Sequence, residues 1–192
     1  MTRSEIGLCT RTLFWGYFFL YFDLNLGTLD ILPGWLGGLM LFSALNRLAP
    51  AWPSLALLRP FAVILTVQEG YNWLGKLLGD GLPTLPGWLN LLLGLVTLYF
   101  NFQLFTDLVG LVRQRGVAPD GQPPRGKGLL AARTVQALLH TALLLDPLLL
   151  WLTQHEAFVF AGLAVYLAVI VVILYQLFTL KRFFPPEEDG TP

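Results

Sequence analysis

Six apolar stretches separated by short polar breaks constrain this chain more than any other feature of its sequence. They run from about Thr12 to Leu26, Pro33 to Leu48, Leu55 to Leu78, Pro86 to Val112, Leu129 to Leu152 and Ala157 to Leu180. A helix needs about 20 mostly apolar residues to cross the hydrocarbon core of a bilayer. Lipid leaves no partner for an open backbone, so such segments must close their hydrogen bonds internally, as helices do. Charge is correspondingly scarce. Charged residues make up 12% of the 192 positions, about half of what a soluble domain uses to face water. The pattern predicts an all-α membrane protein with six transmembrane helices, paired as three hairpins. Pro60, Gln68 and Glu69 interrupt the third stretch.

The cations test this count independently. With six spans and the N-terminus inside, Arg3, Arg11, Arg47, Arg59, Arg113, Arg115, Arg125, Lys127, Arg133, Lys181 and Arg182 all fall on the cytoplasmic side, and only Lys76 on the other. That asymmetry is what the positive-inside rule predicts, and a miscounted span would scramble it. Both termini are therefore expected in the cytoplasm, in the cell (inner) membrane. The aromatics agree. Trp35, Trp73, Trp88 and Trp151 fall at the outer ends of helices 2, 3, 4 and 5, the depth an indole prefers because its ring is apolar and its N–H is not. With Trp73 at the outer interface, Glu69 lies about one turn below it.

Segment 113–128, rich in Pro and Gly, reads as a cytoplasmic loop, and residues 183–192 as a disordered cytoplasmic tail. The zero net charge excludes a strongly basic nucleic-acid binder. The single cysteine, Cys9, excludes an intrachain disulfide. No small-x-small cleavage site follows a short apolar stretch, so the N-terminus is expected to be retained.

Leu32-Pro-Gly-Trp-Leu36 recurs 53 residues on as Leu85-Pro-Gly-Trp-Leu89. Both copies stand where an outer loop turns into a descending helix. Proline suits the first helical turn, where its missing N–H has no intrahelical partner to lose. The offset spans two helices, so the first two hairpins read as a parallel internal repeat. The competing explanation is that Pro-Gly-Trp is a good outer cap, arrived at twice.

Leu24-x-Leu26-Gly27, followed by Asp30-Ile-Leu-Pro33 and Gly37, resembles a motif of uncharacterised bacterial multi-pass membrane proteins. In those proteins an apolar first helix ends near an Asp and is followed by Asp-Ile-Leu-Pro-Asp and a helix-opening Gly. Gly34 stands here in place of the second acid. The resemblance lies at the N-terminal end and implies a membrane fold but no activity.

A charge at the centre of a span costs roughly 2.5–3.5 kcal/mol on insertion scales, so each intramembrane polar group needs a reason. The candidate site residues are Glu69, Asn101, His140 and Asp146. Asp23 and Asp30 are outer-end acids, and Asp23 with Asn25 is expected to meet interfacial water at the end of helix 1. Glu69, Asn72 and Lys76 share one helical face, either as a neutralised outer-end cluster or as a substrate site. Asp107 reads as a helix-end charge beside Arg113. His140 and Asp146 are about 120° apart around helix 5, too far for a direct dyad. Each is expected to bond a neighbouring helix, for instance at Asn101 or Gln103, or else to line a proton or cation path. Pro147 is expected to kink that helix.

No zinc-protease, serine-hydrolase, Cys-x-x-Cys or P-loop motif occurs, and no cofactor or metal is implied. The expected partners are the lipid bilayer and either further copies of the chain or another membrane protein. Two functions stay open: an accessory, structural or regulatory membrane protein, or a small oligomeric transporter or channel using the polar groups of helices 3 and 5.

Overall fold

A computed structural model describes residues 1–22, 25–26, 29–30, 33–79, 82–117, 126–144 and 156–185. Asp23, Asp146, Pro147 and Trp151 lie outside them. Six α-helices are present among the described residues: α1 (Arg3–Tyr21), α2 (Gly34–Leu48), α3 (Arg59–Leu77), α4 (Gly87–Arg115), α5 (Lys127–Leu143) and α6 (Glu156–Leu180). The described residues are thus helical apart from one small β pairing. There β1 (Asn25–Leu26) runs antiparallel to β2 (Leu29–Asp30), with Asn25 opposite Asp30 and Leu26 opposite Leu29.

Several boundaries differ from the hydropathy expectation, each for a local reason. The first helix, expected from Thr12 to Leu26, starts at Arg3 and ends at Tyr21. A capping box starts it: the Glu5 carboxylate accepts from the Thr2 N–H at 2.7 Å, and the Thr2 hydroxyl accepts from the Glu5 N–H at 3.3 Å. The bond from the Thr2 backbone holds the Glu5 carboxyl below the usual carboxylate range. At the other end, Asn25, Leu26, Leu29 and Asp30 are taken by the β pairing rather than by the helix.

The third stretch divides into a 3-10 helix over Pro53–Leu58 and then α3. Pro60 therefore sits in the first turn of α3, where it costs nothing, and does not break the span. Pro33 and Pro86 occupy the N-cap positions of α2 and α4, one residue before the first turn. Helix α4 runs on to Arg115 and α5 begins at Lys127, which trims the expected 113–128 loop at both ends. Of the segment expected as a tail, Phe183 closes a 3-10 turn over Lys181–Phe183 and Phe184 is buried in the core, while residues 186–192 lie outside the described residues.

Each helix packs on its neighbours in sequence, and α6 closes the circle against α1. The tightest seams are α1–α2 and α2–α3, so α2 is clasped on both sides. Glycines allow this. A Cβ at Gly37 would stand 2.5 Å from the Gly16 carbonyl oxygen, and one at Gly38 would stand 2.3 Å from the Thr66 hydroxyl. Small residues let helix backbones approach closely, which is how helices gain contact where lipid is as apolar as leucine. Leu13, Tyr17, Leu41, Leu45, Phe100, Leu104, Phe105 and Leu108 fill the centre and are fully buried. By contrast the α3–α4 seam is slight, so the two Pro-Gly-Trp hairpins do not pack alike.

Two helices, α4 and the segment Val159–Phe183, are long and apolar enough by length and composition to cross a membrane. At 1.5 Å per residue they reach about 43 and 37 Å, against about 30 Å of hydrocarbon. Helices α2 and α5, with 15 and 17 described residues, are shorter than the roughly 20 that a span needs. Helices α1 and α3 carry the polar residues Arg3, Ser4, Glu5 and Arg11, and Gln68, Glu69, Asn72 and Lys76. The outer surface is nonetheless apolar over wide areas. Val67, Leu138, Phe160, Leu163, Val171 and Tyr175 all stand more than half exposed.

Three arginines meet at one end of the bundle. Met1, Arg3, Ile6, Gln114 and Arg115 surround one surface cavity, and Met1, Glu5, Leu8, Cys9, Arg47 and Pro50 another. The Val117 N–H donates to the Phe183 carbonyl at 2.9 Å. The start of α1 and the ends of α2, α4 and α6 therefore meet at one end of the bundle, bringing Arg3, Arg47 and Arg115 together there.

Candidate functional site

The most enclosed polar cluster lies where α1, α4 and α5 meet. Tyr17 and Tyr21, one turn apart on α1, stack with ring centroids 5.6 Å apart and point their hydroxyls at α4 and α5. The Tyr17 hydroxyl donates to Asn101 Oδ1. Asn101 Nδ2 donates to the Tyr21 hydroxyl at 3.1 Å, and Gln136 Nε2 donates to the same oxygen at 2.9 Å. Tyr17, Asn101 and Gln136 are all buried. Three helices are thereby tied by side-chain amides and phenols rather than by charge. Gln136 Oε1 has no partner.

His140 lies near this cluster but bonds elsewhere. It reaches the backbone of Gly94 on α4, not the Asn101 or Gln103 side chains expected for it. Together with Leu98, Asn101, Phe102, Arg133, Gln136 and Ala137 it lines a crevice between α4 and α5 that has no room for a water molecule. Arg133, assigned from sequence to the cytoplasmic end, in fact projects into this seam. Its guanidinium donates to the Thr106 hydroxyl at 2.7 Å and lies 4.1 Å from the Phe102 ring centre, while its Nε is buried without a partner. Arg133, Gln136 and His140 fall at i, i+3 and i+7, one polar stripe along α5. That spacing is legible in the sequence, but Gln136 carries no charge whose burial would demand an explanation, so only the structure singles it out.

Asp107 departs most from its expected role. It is 5% exposed, and its Oδ1 accepts from the Trp52 indole N–H at 3.2 Å and from Gln103 Nε2 at 3.1 Å. It is an interior carboxylate covered by Trp52, which packs over Gly110, and not a solvated helix-end charge. Its Oδ2 is unpartnered. Gln103 is satisfied here, which explains why it does not serve His140.

Glu69 belongs to a third place. Its carboxylate lies at the N-terminus of α2, so close that a Cβ at Gly34 would stand 2.8 Å from Oε2. The exposed amides of that helix end favour a negative charge. Trp35 and Trp73 meet edge-on nearby, with ring centroids 6.1 Å apart. Asn72 and Lys76 are exposed on the same helix. Trp88, the equivalent of Trp35 in the second Pro-Gly-Trp, stands 69% exposed instead.

Glu69 does not line the crevice that holds His140 and Asn101. Asp146, Asp23 and Trp151 are outside the described residues, and Asp30 is described through its backbone pairing alone. No group of three or more metal-ligating side chains occurs among the described residues. Comparison with protein-family models, characterised proteins and solved structures finds no match to this chain.

Proposed function

We propose that the chain is a multi-pass protein of the bacterial cytoplasmic membrane, with six spans in three hairpins and both termini inside. In this reading it serves an accessory, structural or regulatory role through a protein partner or a second copy. One observation carries the choice of role. The polar side chains within the apolar helices are bonded mainly to one another, and the crevice beside them admits no water. A conducting path needs the opposite arrangement, polar groups facing a wet cavity.

The membrane reading is supported by the two long apolar helices, the exposed leucines, valines and aromatics, and the gathering of cations at one end. A soluble monomer rarely leaves such patches uncovered. The shared placement of Pro33 and Pro86 as N-caps supports duplication of the first two hairpins. The Asp-Ile-Leu-Pro motif gains a mechanical role as well, since Gly37 at its end is where α2 presses on α1. The transporter alternative rests on Asp107 Oδ2 and Gln136 Oε1, two buried acceptors without partners.

Proteoliposomes decide between the roles. Proton and cation flux through vesicles carrying the chain is expected to equal that of protein-free vesicles, with His140→Ala and Asp146→Asn indistinguishable from wild type. Flux above background that falls in either variant would sink the accessory reading. Sidedness has its own test, single cysteines introduced at exposed positions in a Cys9→Ala background. Impermeant maleimide added to intact cells is expected to label Leu78→Cys and to spare Val117→Cys until the membrane is opened. The reverse pattern would overturn the orientation.

A further inference from the structure

At the cation-bearing end of the α1–α6 seam lies a surface groove of about 240 Å³, lined by Arg11, Phe14, Trp15, Leu177, Phe178 and Lys181. Its base is aromatic. Phe14 and Phe178 meet edge-to-face across the seam with centroids 5.6 Å apart, and Phe14 meets Trp15 at 5.2 Å. The Lys181 ammonium stands 4.2 Å from the Phe178 ring centre, and Arg11 is exposed opposite on α1. Among the described residues, no carboxylate lines the groove. Two other cavities at this end differ: one holds Glu5 beside Arg47, and the other, around Arg3 and Arg115, has no aromatic side chain among its described lining residues.

Two cations at the mouth of an apolar slot, with no acid among the described residues that line it, complement a ligand with a phosphate head and a hydrocarbon body. We propose that this groove binds an anionic phospholipid of the cytoplasmic leaflet, its phosphate between Arg11 and Lys181 and the start of an acyl chain along Phe14, Trp15 and Phe178. A guanidinium offers a phosphate two parallel N–H donors, and the ammonium adds a point charge. Basic pockets between helices on this side of a membrane select acidic headgroups for that reason. The apolar wall explains why a lipid is preferred over a free anion: Trp15 and Phe178 are 39% and 44% exposed, and only a ligand with a hydrocarbon chain gains packing contacts with them. The site rests on the membrane reading.

The test uses the full chain purified in neutral detergent, with bound lipid counted by native mass spectrometry at equal concentrations of phosphatidylglycerol and phosphatidylcholine. Phosphatidylglycerol is expected to be retained at least about tenfold better, the order that two interfacial cations supply. Arg11→Gln with Lys181→Gln is expected to bring the two lipids to parity. Arg3→Gln with Arg115→Gln, which removes the same charge from the neighbouring cavity, is expected to leave the preference intact. So is the swap Arg11→Lys with Lys181→Arg, which also reports that substitution at these positions is tolerated. Equal retention of both lipids by wild type, equal loss in both Gln pairs, or displacement of phosphatidylglycerol by millimolar inorganic phosphate would each overturn the site. Failure of the membrane reading has a separate signature, recovery of the chain from the soluble fraction without detergent.

Discussion

Gly37→Leu is expected to leave no folded, monodisperse protein after detergent extraction. A Cβ at this position would stand 2.5 Å from the Gly16 carbonyl oxygen, 2.8 Å from the Leu20 nitrogen and 3.2 Å from the Phe19 carbonyl carbon. All three are backbone atoms of α1. A flexible side chain could turn aside, but a helix backbone cannot, so α1 and α2 must separate. The shift cannot be absorbed on the far side of α2, where Gly38 presses equally hard on Thr66. Overpacking a filled core costs about 1–3 kcal/mol and sometimes more. A whole leucine forced between two backbones belongs at or beyond the top of that range, a large fraction of any domain's stability. Gly37→Ala is expected to fold with a lowered melting temperature. Gly162→Ala is the control, since nothing lies within 4 Å of a Cβ there and alanine is the better helix former. Size-exclusion profiles and thermal melts in detergent check the series. A Gly37→Leu melt within about 2 °C of wild type, a change of at most about 1 kcal/mol at this chain length, would refute the close packing of α2.

That seam also shows where sequence and structure part. Helices α2, α4 and α6 follow the apolar stretches closely because their limits are set by strong local signals: Pro33 and Pro86 before the first turn, and an unbroken apolar run to Leu180. The limits of α1 are set by hydrogen bonds that hydropathy does not see, at Thr2 and Glu5 on one side and in the β pairing on the other. The pairing of hairpins was only half legible. Adjacency of consecutive helices follows from short connections, but the closure of α6 on α1 depends on side-chain shape along both.

The candidate site was legible by residue type and not by partner. Asn101 and His140 do line one crevice. Tyr17 and Tyr21 carry no signal of their own in the sequence, because nothing in one helix's sequence says which face another helix will cover. Asp107 was misplaced for a similar reason. Its neutral partner Trp52 is 55 residues away in the chain, so the nearby Arg113 looked like the natural company.

Asn101→Leu is expected to cost about 2 kcal/mol, because it strips bonds from two tyrosines at once. Tyr17 is fully buried, so its hydroxyl has no water to turn to, and the adjoining crevice has no room for one. An orphaned buried group costs about 1–3 kcal/mol. Interhelical bonds in membranes average nearer 0.6 kcal/mol, because the separated helices find other partners. Two bonds lost together in an enclosed site place the sum between those limits. Tyr17→Phe is expected to cost about half as much, since Asn101 keeps its bond to Tyr21. Combined with Asn101→Leu it should add little, because the bond it removes is already gone, and the cycle should show coupling of about 1 kcal/mol. Gln136→Leu is the discriminating member. It removes the donor to Tyr21 but also an amide oxygen buried without a partner, so the loss and the relief offset each other and the net change should be close to zero. Denaturation in detergent reads all four variants. Additive single and double effects would refute the Tyr17–Asn101 pairing. A Gln136→Leu cost as large as that of Asn101→Leu would mean that Gln136 Oε1 holds something in the native membrane, and that would return the cluster to the transporter reading.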